Sequence, residues 1–153
     1  RHLALPREGH LEKVYHIFAY LRKYDRSKIV FDCREVDWGT KRFPSVDWDQ
    51  FYPDAVEPLP PNMPEARGFG MEQNMFVDAD HAGDRITRRS QTGILIFLNN
   101  APIIWYSKRQ NTVELNTFGS EFIAMKTGVE IIKSLRYKLR MMGIPVEGPM
   151  NVF

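Results

Sequence analysis

The residues best suited to chemistry are carboxylates in two short segments. Asp78 and Asp80 lie in Phe76-Val77-Asp78-Ala79-Asp80, and Glu121 follows 41 residues after Asp80 in Ser120-Glu121-Phe122-Ile123-Ala124. The first segment ends an apolar run of strand character, and the second lies near the start of a long amphipathic run. Carboxylates brought together raise each other's pKa unless a cation neutralises them. Hard oxygen donors favour magnesium, which keeps water ligands and takes phosphate oxygens as further ones. Two such ions about 4 Å apart stabilise both the attacking water and the leaving oxygen in phosphodiester hydrolysis. A plainer alternative stays open on spacing alone: Asp78 terminates a strand, and Glu121 pairs with a nearby Lys or Arg.

Other charged residues surround these acids. Arg85, Arg88 and Arg89, with Lys108 and Arg109, are candidates for a track along a phosphate backbone, or are simply solvated turn residues. Asp80 and Asp84 are either supporting partners of the acids or turn carboxylates that balance the arginines. His81 is a possible titrating neighbour, although a lone histidine beside a turn is more often structural or solvated. Ser120 has no Ser-His-Asp grouping to activate it.

The elements that must carry these residues follow from periodicity. Residues 75–80, 93–98 and 102–107 read as strands, with a charged turn at 84–89 and a tight turn at Asn99-Asn100, which makes an antiparallel meander. Val77 and Ala79 alternate to the opposite face from Asp78, which is expected to lie at the sheet centre beneath a packed helix. Trp105 and Tyr106 alternate, so at least one belongs to the core. A helix runs from an N-cap at Thr117 to about Met142, ended by Gly143 and Pro145. Glu121, Ala124, Met125, Gly128, Ile132, Leu135, Leu139 and Met142 share one face by three-and-four spacing, which puts Glu121 at its buried edge. Val152-Phe153 would begin a fourth strand. The layout is mixed α/β, a helix against one sheet face.

The first half is less ordered in pattern. Residues 9–24 read as a helix through Leu11, Val14, Tyr15, Phe18 and Leu21. Ile29-Val30-Phe31 is a candidate strand. From Arg34 to Gln73, Pro44, Pro53, Pro58, Pro60, Pro61 and Pro64 interrupt any period. That stretch reads as an irregular connector packing through Trp38, Trp48, Phe51 and Tyr52.

Composition narrows the class. At 153 residues, 43% hydrophobic and 26% charged, the chain is of ordinary globular make-up. Its net charge is +2, and residues 75–153 hold 10 Lys/Arg against 7 Asp/Glu, an excess too small to diagnose a nucleic-acid binder by itself. The single cysteine, Cys33, excludes an internal disulfide framework and fits a reducing, cytoplasmic setting. No apolar run approaches the roughly 18–20 residues of a membrane span, and no signal segment opens the chain. A start at Arg1 and a finish inside an extended run read as a piece of a longer product.

Several ordered motifs are more specific. Val77-Asp78-Ala79-Asp80-His81-Ala82-Gly83-Asp84, Arg88-Arg89-Ser90-Gln91-Thr92-Gly93, Ala101-Pro102-Ile103-Ile104-Trp105-Tyr106-Ser107-Lys108-Arg109-Gln110 and Ser120-Glu121-Phe122-Ile123-Ala124 resemble the ribonuclease H domain of copia-type retrotransposon polyproteins. Upstream, residues 6–21, with His10 and Tyr20-Leu21-Arg22, are similar to the tail of the adjoining reverse transcriptase. The resemblance implies three parts: a helical, thumb-like remnant at 1–30, a proline-rich connector at 31–73, and a C-terminally truncated ribonuclease H-like domain at 74–153. It implies hydrolysis of the RNA strand of an RNA–DNA hybrid with two magnesium ions, in a polyprotein that works in cytoplasmic particles before a nuclear stage. Asp78 and Glu121 match the family's first two metal-binding acids. The family's third acid, in an Asp-Asn pair after the fourth strand, and its fourth fall beyond Phe153, so the fragment alone is expected to be inactive. His81 replaces an aromatic of the pattern, and Asn116-Thr117-Phe118-Gly119 replaces a Ser/Thr/Glu-rich helix start. The alternatives are a degenerate, non-catalytic nucleic-acid-binding or structural relic, and an integrase-like strand transferase of the same fold.

Overall fold

The computed structural model describes residues 6–37, 39, 46–146 and 148–153, so Trp38 and Pro44 of the expected connector lie outside the described residues. The chain divides into two compact units, Arg1–Val30 and Phe31–Phe153.

In the first unit, α1 spans Glu8–Lys23, close to the helix expected at 9–24. The backbone N–H of Arg7 donates to Nδ1 of His10 at 3.1 Å, satisfying one of the donors that a helix start leaves open. Leu11, Val14, Tyr15, Phe18 and Leu21 are all exposed. Ile29 and Val30, and Phe31 of the second unit, form no strand, contrary to expectation.

The second unit is built on a four-stranded sheet of order β3-β2-β1-β4. Its strands are β1, Gln73–Asp80; β2, Gln91–Leu98; β3, Ala101–Arg109; and β4, Asn151–Val152. The first three form the expected antiparallel meander, and β4 runs parallel to β1 through Asn74–Asn151 and Met75–Val152. Phe153 extends that ladder by accepting from Val77 N at 3.0 Å and donating to Met75 O at 2.9 Å. Ile96 pairs with Ile104 but Phe97 pairs with Pro102, which leaves Ile103 as a bulge. Proline, lacking an N–H, is tolerated there because β3 is an edge strand.

A single long helix, α2 (Thr117–Met141), covers one face. Met75, Ile94, Ile96 and Ile132 form the buried core, with Val77, Ile104, Tyr106, Ile131 and Leu135 packed around them. Fully burying an aliphatic side chain of this size contributes roughly 1.5–3 kcal/mol, so this cluster holds helix to sheet. The closest approach is at Gly128, where a Cβ would lie 2.5 Å from Sδ of Met75. The buried face of α2 is Ser120, Ala124, Gly128, Ile132 and Leu139. Met125 and Met142, expected in that stripe, are exposed. The N-cap is Asn116 rather than Thr117: its side chain accepts from Gly119 N at 2.8 Å. Of the two adjacent aromatics, Tyr106 packs on the core and Trp105 is 64% exposed on the other face.

The connector attaches to this domain, though Trp48, Phe51 and Tyr52, expected to pack it, stay exposed. Trp48, Phe51 and Tyr52 surround a single 3₁₀ turn, Trp48–Gln50, where their rings pack on one another and stay exposed. The attachments are polar. Asn99, at the left-handed φ of +50° in the β2–β3 turn, donates through Nδ2 to Cys33 O at 2.7 Å and accepts from Glu72 N at 2.9 Å. Asn100 Nδ2 donates to the carbonyls of Arg34 and Glu35. Further along, Arg67 N donates to Gly143 O and Met71 N to Pro145 O, and Pro60 is buried.

Candidate functional site

Asp78 occupies the middle of the sheet as expected, on β1 and opposite Gly93 of β2, which in turn faces Ser107 of β3. Its side-chain direction differs from expectation. Met75, Val77 and Ala79 point toward α2, so Asp78 lies with Phe76 on the open face and is exposed. Alternation fixes which residues share a face, and burial of Met75 decides which face the helix takes. Asp78 borders a shallow, mainly apolar cavity of about 600 Å³ formed with Phe76, Leu95, Trp105, Ser107 and Phe153.

Glu121 is half-buried near the start of α2, after fully buried Ser120 and before exposed Phe122. Asp78 and Glu121 therefore do not face each other across the helix–sheet interface. Among the described residues, no three or more His, Cys, Asp or Glu side chains are grouped to hold a metal ion. Ser120 donates its hydroxyl to Thr117 O at 2.7 Å and is sealed from solvent, which rules it out as a nucleophile here.

The charged turn folds around Asp84. Its carboxylate accepts from Nη1 of Arg109 at 3.0 Å and from the backbone N–H groups of Ile86 and Thr87 at 3.2 and 3.3 Å. Desolvation pushes this carboxyl up, but Arg109 and the turn donors outweigh it and hold it well below the usual range. Of the five basic residues expected to line a phosphate track, Arg109 is thus engaged by Asp84. Arg85, Arg88 and Lys108 are exposed and Arg89 is half-buried. Arg88 holds a left-handed φ of +55° as its N–H closes the turn onto Asp84 O. Asp80 ends β1 opposite Gln91, and its carboxylate lies where a side chain on Gly83 would have to be. Nδ1 of His81 is buried with no hydrogen-bond partner among the described residues.

A polar chain that periodicity does not reveal joins these parts. Gln110, just past β3 and buried, donates through Nε2 to Thr92 Oγ1 at 3.1 Å and to Ser120 O at 2.8 Å. Its backbone N–H reaches Ser90 O at 2.8 Å, and Ser90 Oγ accepts from Ala82 N at 3.0 Å. The turn after Asp80 and the helix entry before Glu121 are thereby fixed through one buried glutamine. The only sequence signal is a polar residue immediately after a strand.

Comparison with known proteins finds partial likeness to two proteins of different kinds. One of them is retrotransposon polyprotein sequence. The chain is 43% identical over 63 residues to a retrovirus-related Pol polyprotein from transposon TNT 1-94 of Nicotiana tabacum, covering 40% of this chain and 5% of that polyprotein. It is also 40% identical over 55 residues to secreted RxLR effector protein 161 of Plasmopara viticola, covering 36% of this chain and 39% of the effector. The chain thus spans a small part of the first relative and about two fifths of the second. No protein-family model and no solved structure matches. No helix among the described residues is long and apolar enough to cross a membrane.

Proposed function

We propose that residues 74–153 are part of a ribonuclease H-type nuclease within a retrotransposon polyprotein, preceded by a reverse-transcriptase tail at 1–30 and a connector at 31–73. The parent polyprotein cuts the RNA strand of RNA–DNA hybrids. This chain contributes Asp78 and Glu121 to the ligand set, and by itself is inactive or nearly so. The observation that carries the proposal is the order of elements: an antiparallel meander with an acid toward the end of its first strand, a long helix with a glutamate near its start, and a returning strand parallel to the first. The likeness to a Pol polyprotein supports the same assignment.

The donors suit magnesium chemically, since both are carboxylates and Asp78 is open to solvent where a hydrated ion can reach it. When bound, the ion would neutralise phosphate charge and supply an activated water. The chain's own residues would position the hybrid. Arg85, Arg88, Arg89 and Lys108 are the exposed or half-exposed cations for backbone contacts, Asp80 lies beside the acid-bearing strand end, and Arg109 acts by holding Asp84 and the turn.

A second assignment, a non-catalytic nucleic-acid-binding or structural relic, is favoured by one observation: Asp78 faces away from the helix that carries Glu121. Hybrid binding and cleavage assays with magnesium separate the two. Polyprotein extended beyond Phe153 should cleave hybrid, and Asp78→Asn should reduce the rate by a hundredfold or more, on the order of what loss of one charge-stabilising group costs. Binding with no cleavage, unchanged by Asp78→Asn yet weakened by neutralising Arg88 and Arg89, establishes the relic. Magnesium-dependent cleavage by the 153 residues alone, lost in Asp78→Asn, would show that the isolated chain is active.

A further inference from the structure

Away from the acids, α2 carries a second concentration of charge. Arg136 and Arg140, one helical turn apart, both close on Glu57 of the connector. Arg136 donates through Nε to Oε1 at 2.9 Å and through Nη2 to Oε2 at 2.8 Å. Arg140 reaches Oε1 through Nη1 at 2.7 Å and Oε2 through Nη2 at 2.9 Å. Each carboxylate oxygen thus accepts from both guanidinium groups. The arginine side chains are 12% and 13% exposed, whereas Glu57 is 42% exposed. The carboxyl of Glu57 is lowered to about 2, chiefly by its hydrogen bond to Arg136.

Two features distinguish this cluster from an ordinary surface ion pair. Two cations one turn apart on a helix repel, so the poorly solvated pair requires an anion between them. The anion comes from a segment with little else to hold it. Residues 46–59 are exposed throughout, and the hydrogen bonds described for them either stay within the segment or run through Glu57. A planar pair of guanidinium forks matches two oxygens of a phosphate as well as those of a carboxylate, and a phosphate brings more charge.

We propose that Arg136 and Arg140 form a phosphate-binding cradle, and that Glu57 is its internal occupant, displaced when a phosphate group binds. Displacement frees the 46–59 segment, so the cradle couples anion binding to the position of the connector. The shared chemistry is a tetrahedral phosphate oxyanion, either free phosphate or a nucleic-acid backbone phosphate. The proposal does not depend on the nuclease assignment.

The test uses the full 153-residue chain and inorganic phosphate. By calorimetry at low salt, Glu57→Gln should bind phosphate about tenfold or more tightly than wild type, because the tethered competitor is gone. Adding Arg136→Gln and Arg140→Gln should remove the gain. In wild type, chymotryptic cleavage after Phe51 and Tyr52 should rise several-fold in phosphate relative to chloride at matched ionic strength. This second measurement decides the matter if Glu57→Gln fails to fold. A short oligonucleotide without terminal phosphates that competes with inorganic phosphate identifies the backbone as the source, and one that does not identifies free phosphate. Equal phosphate affinity in folded Glu57→Gln and wild type, a gain that survives loss of both arginines, or cleavage indifferent to phosphate overturns the proposal.

Discussion

Replacing Gly128 by alanine tests the packing that holds α2 on the sheet. The new methyl would lie 2.5 Å from Sδ and 2.8 Å from Cε of Met75, with Cδ1 of Ile94 at 3.7 Å. Ordinary carbon contacts need roughly 3.5–4.0 Å, so the end of Met75 must retreat by about 1 Å. Met75 is flexible but completely buried among Ile94, Ile96 and Ile132, which leaves it nowhere open to go. Overpacking of this kind costs about 1–3 kcal/mol. Against it stands the helix-propensity gain of alanine over glycine, about 1 kcal/mol. The net expectation is destabilisation by about 1 kcal/mol, read from urea unfolding followed by circular dichroism. Met75→Ala alone should cost about 2–5 kcal/mol, and less in the Gly128→Ala background because the added methyl fills part of the void. A coupling of about 1 kcal/mol in that double-mutant cycle is the signature of direct contact. A Gly128→Ala protein more stable by the full propensity gain, with no coupling to Met75, would refute the close approach.

Three further perturbations probe the rest of the unit. Asn99→Ala removes three side-chain hydrogen bonds, to Glu72 N, Cys33 O and Met71 Sδ, and puts alanine at a left-handed φ. It should destabilise by about 2–4 kcal/mol in the same assay, and Asn99→Gly, which keeps the backbone relaxed, by less. Asn116→Ala should cost about 1 kcal/mol through the lost cap. Because the folded pKa of Glu57 is about 2 against an ordinary 4.5, its contribution is fully present above pH 4.5 and lost as pH falls toward 2. With Glu57 42% exposed, solvent screening limits that contribution to about 1 kcal/mol. The stability gap between wild type and Glu57→Gln should therefore be constant near neutrality and close below pH 4.

The meander and α2 were legible because apolar residues at period two and at three-and-four spacing are forced by burial. The strand expected at Ile29-Val30-Phe31 does not form, since a short apolar run without a partner has nothing to pair with. Asn116 and Thr117 are both good caps, and only the bond to Gly119 separates them. For the candidate site, the positions of Asp78 and Glu121 on strand and helix followed from pattern. The face Asp78 takes did not, because alternation is symmetric until Met75 meets Gly128. Gln110, Asn99 and Glu57 act between segments distant in sequence, where no period exists to announce them. The engagement of Arg109 by Asp84 is likewise a matter of turn geometry, which composition treats as free charge.

The two-residue strand β4 has a kinetic consequence. The hairpins of the meander close loops of ten residues or fewer, whereas the Asn74–Asn151 contact spans 77 residues. Closure entropy rises by about 0.6 kcal/mol per doubling of loop length, so β4 starts at a disadvantage of roughly 2 kcal/mol and has two paired residues to recover it. The sheet therefore assembles from its local ribbon outward, and its parallel edge is the last to dock and the first to fray. The amide of Val77, protected only by Phe153 O, should exchange its proton with solvent faster than amides shared between β1 and β2 on the same strand. The internal strand that carries Asp78 is thus held firmly on one side and loosely on the other.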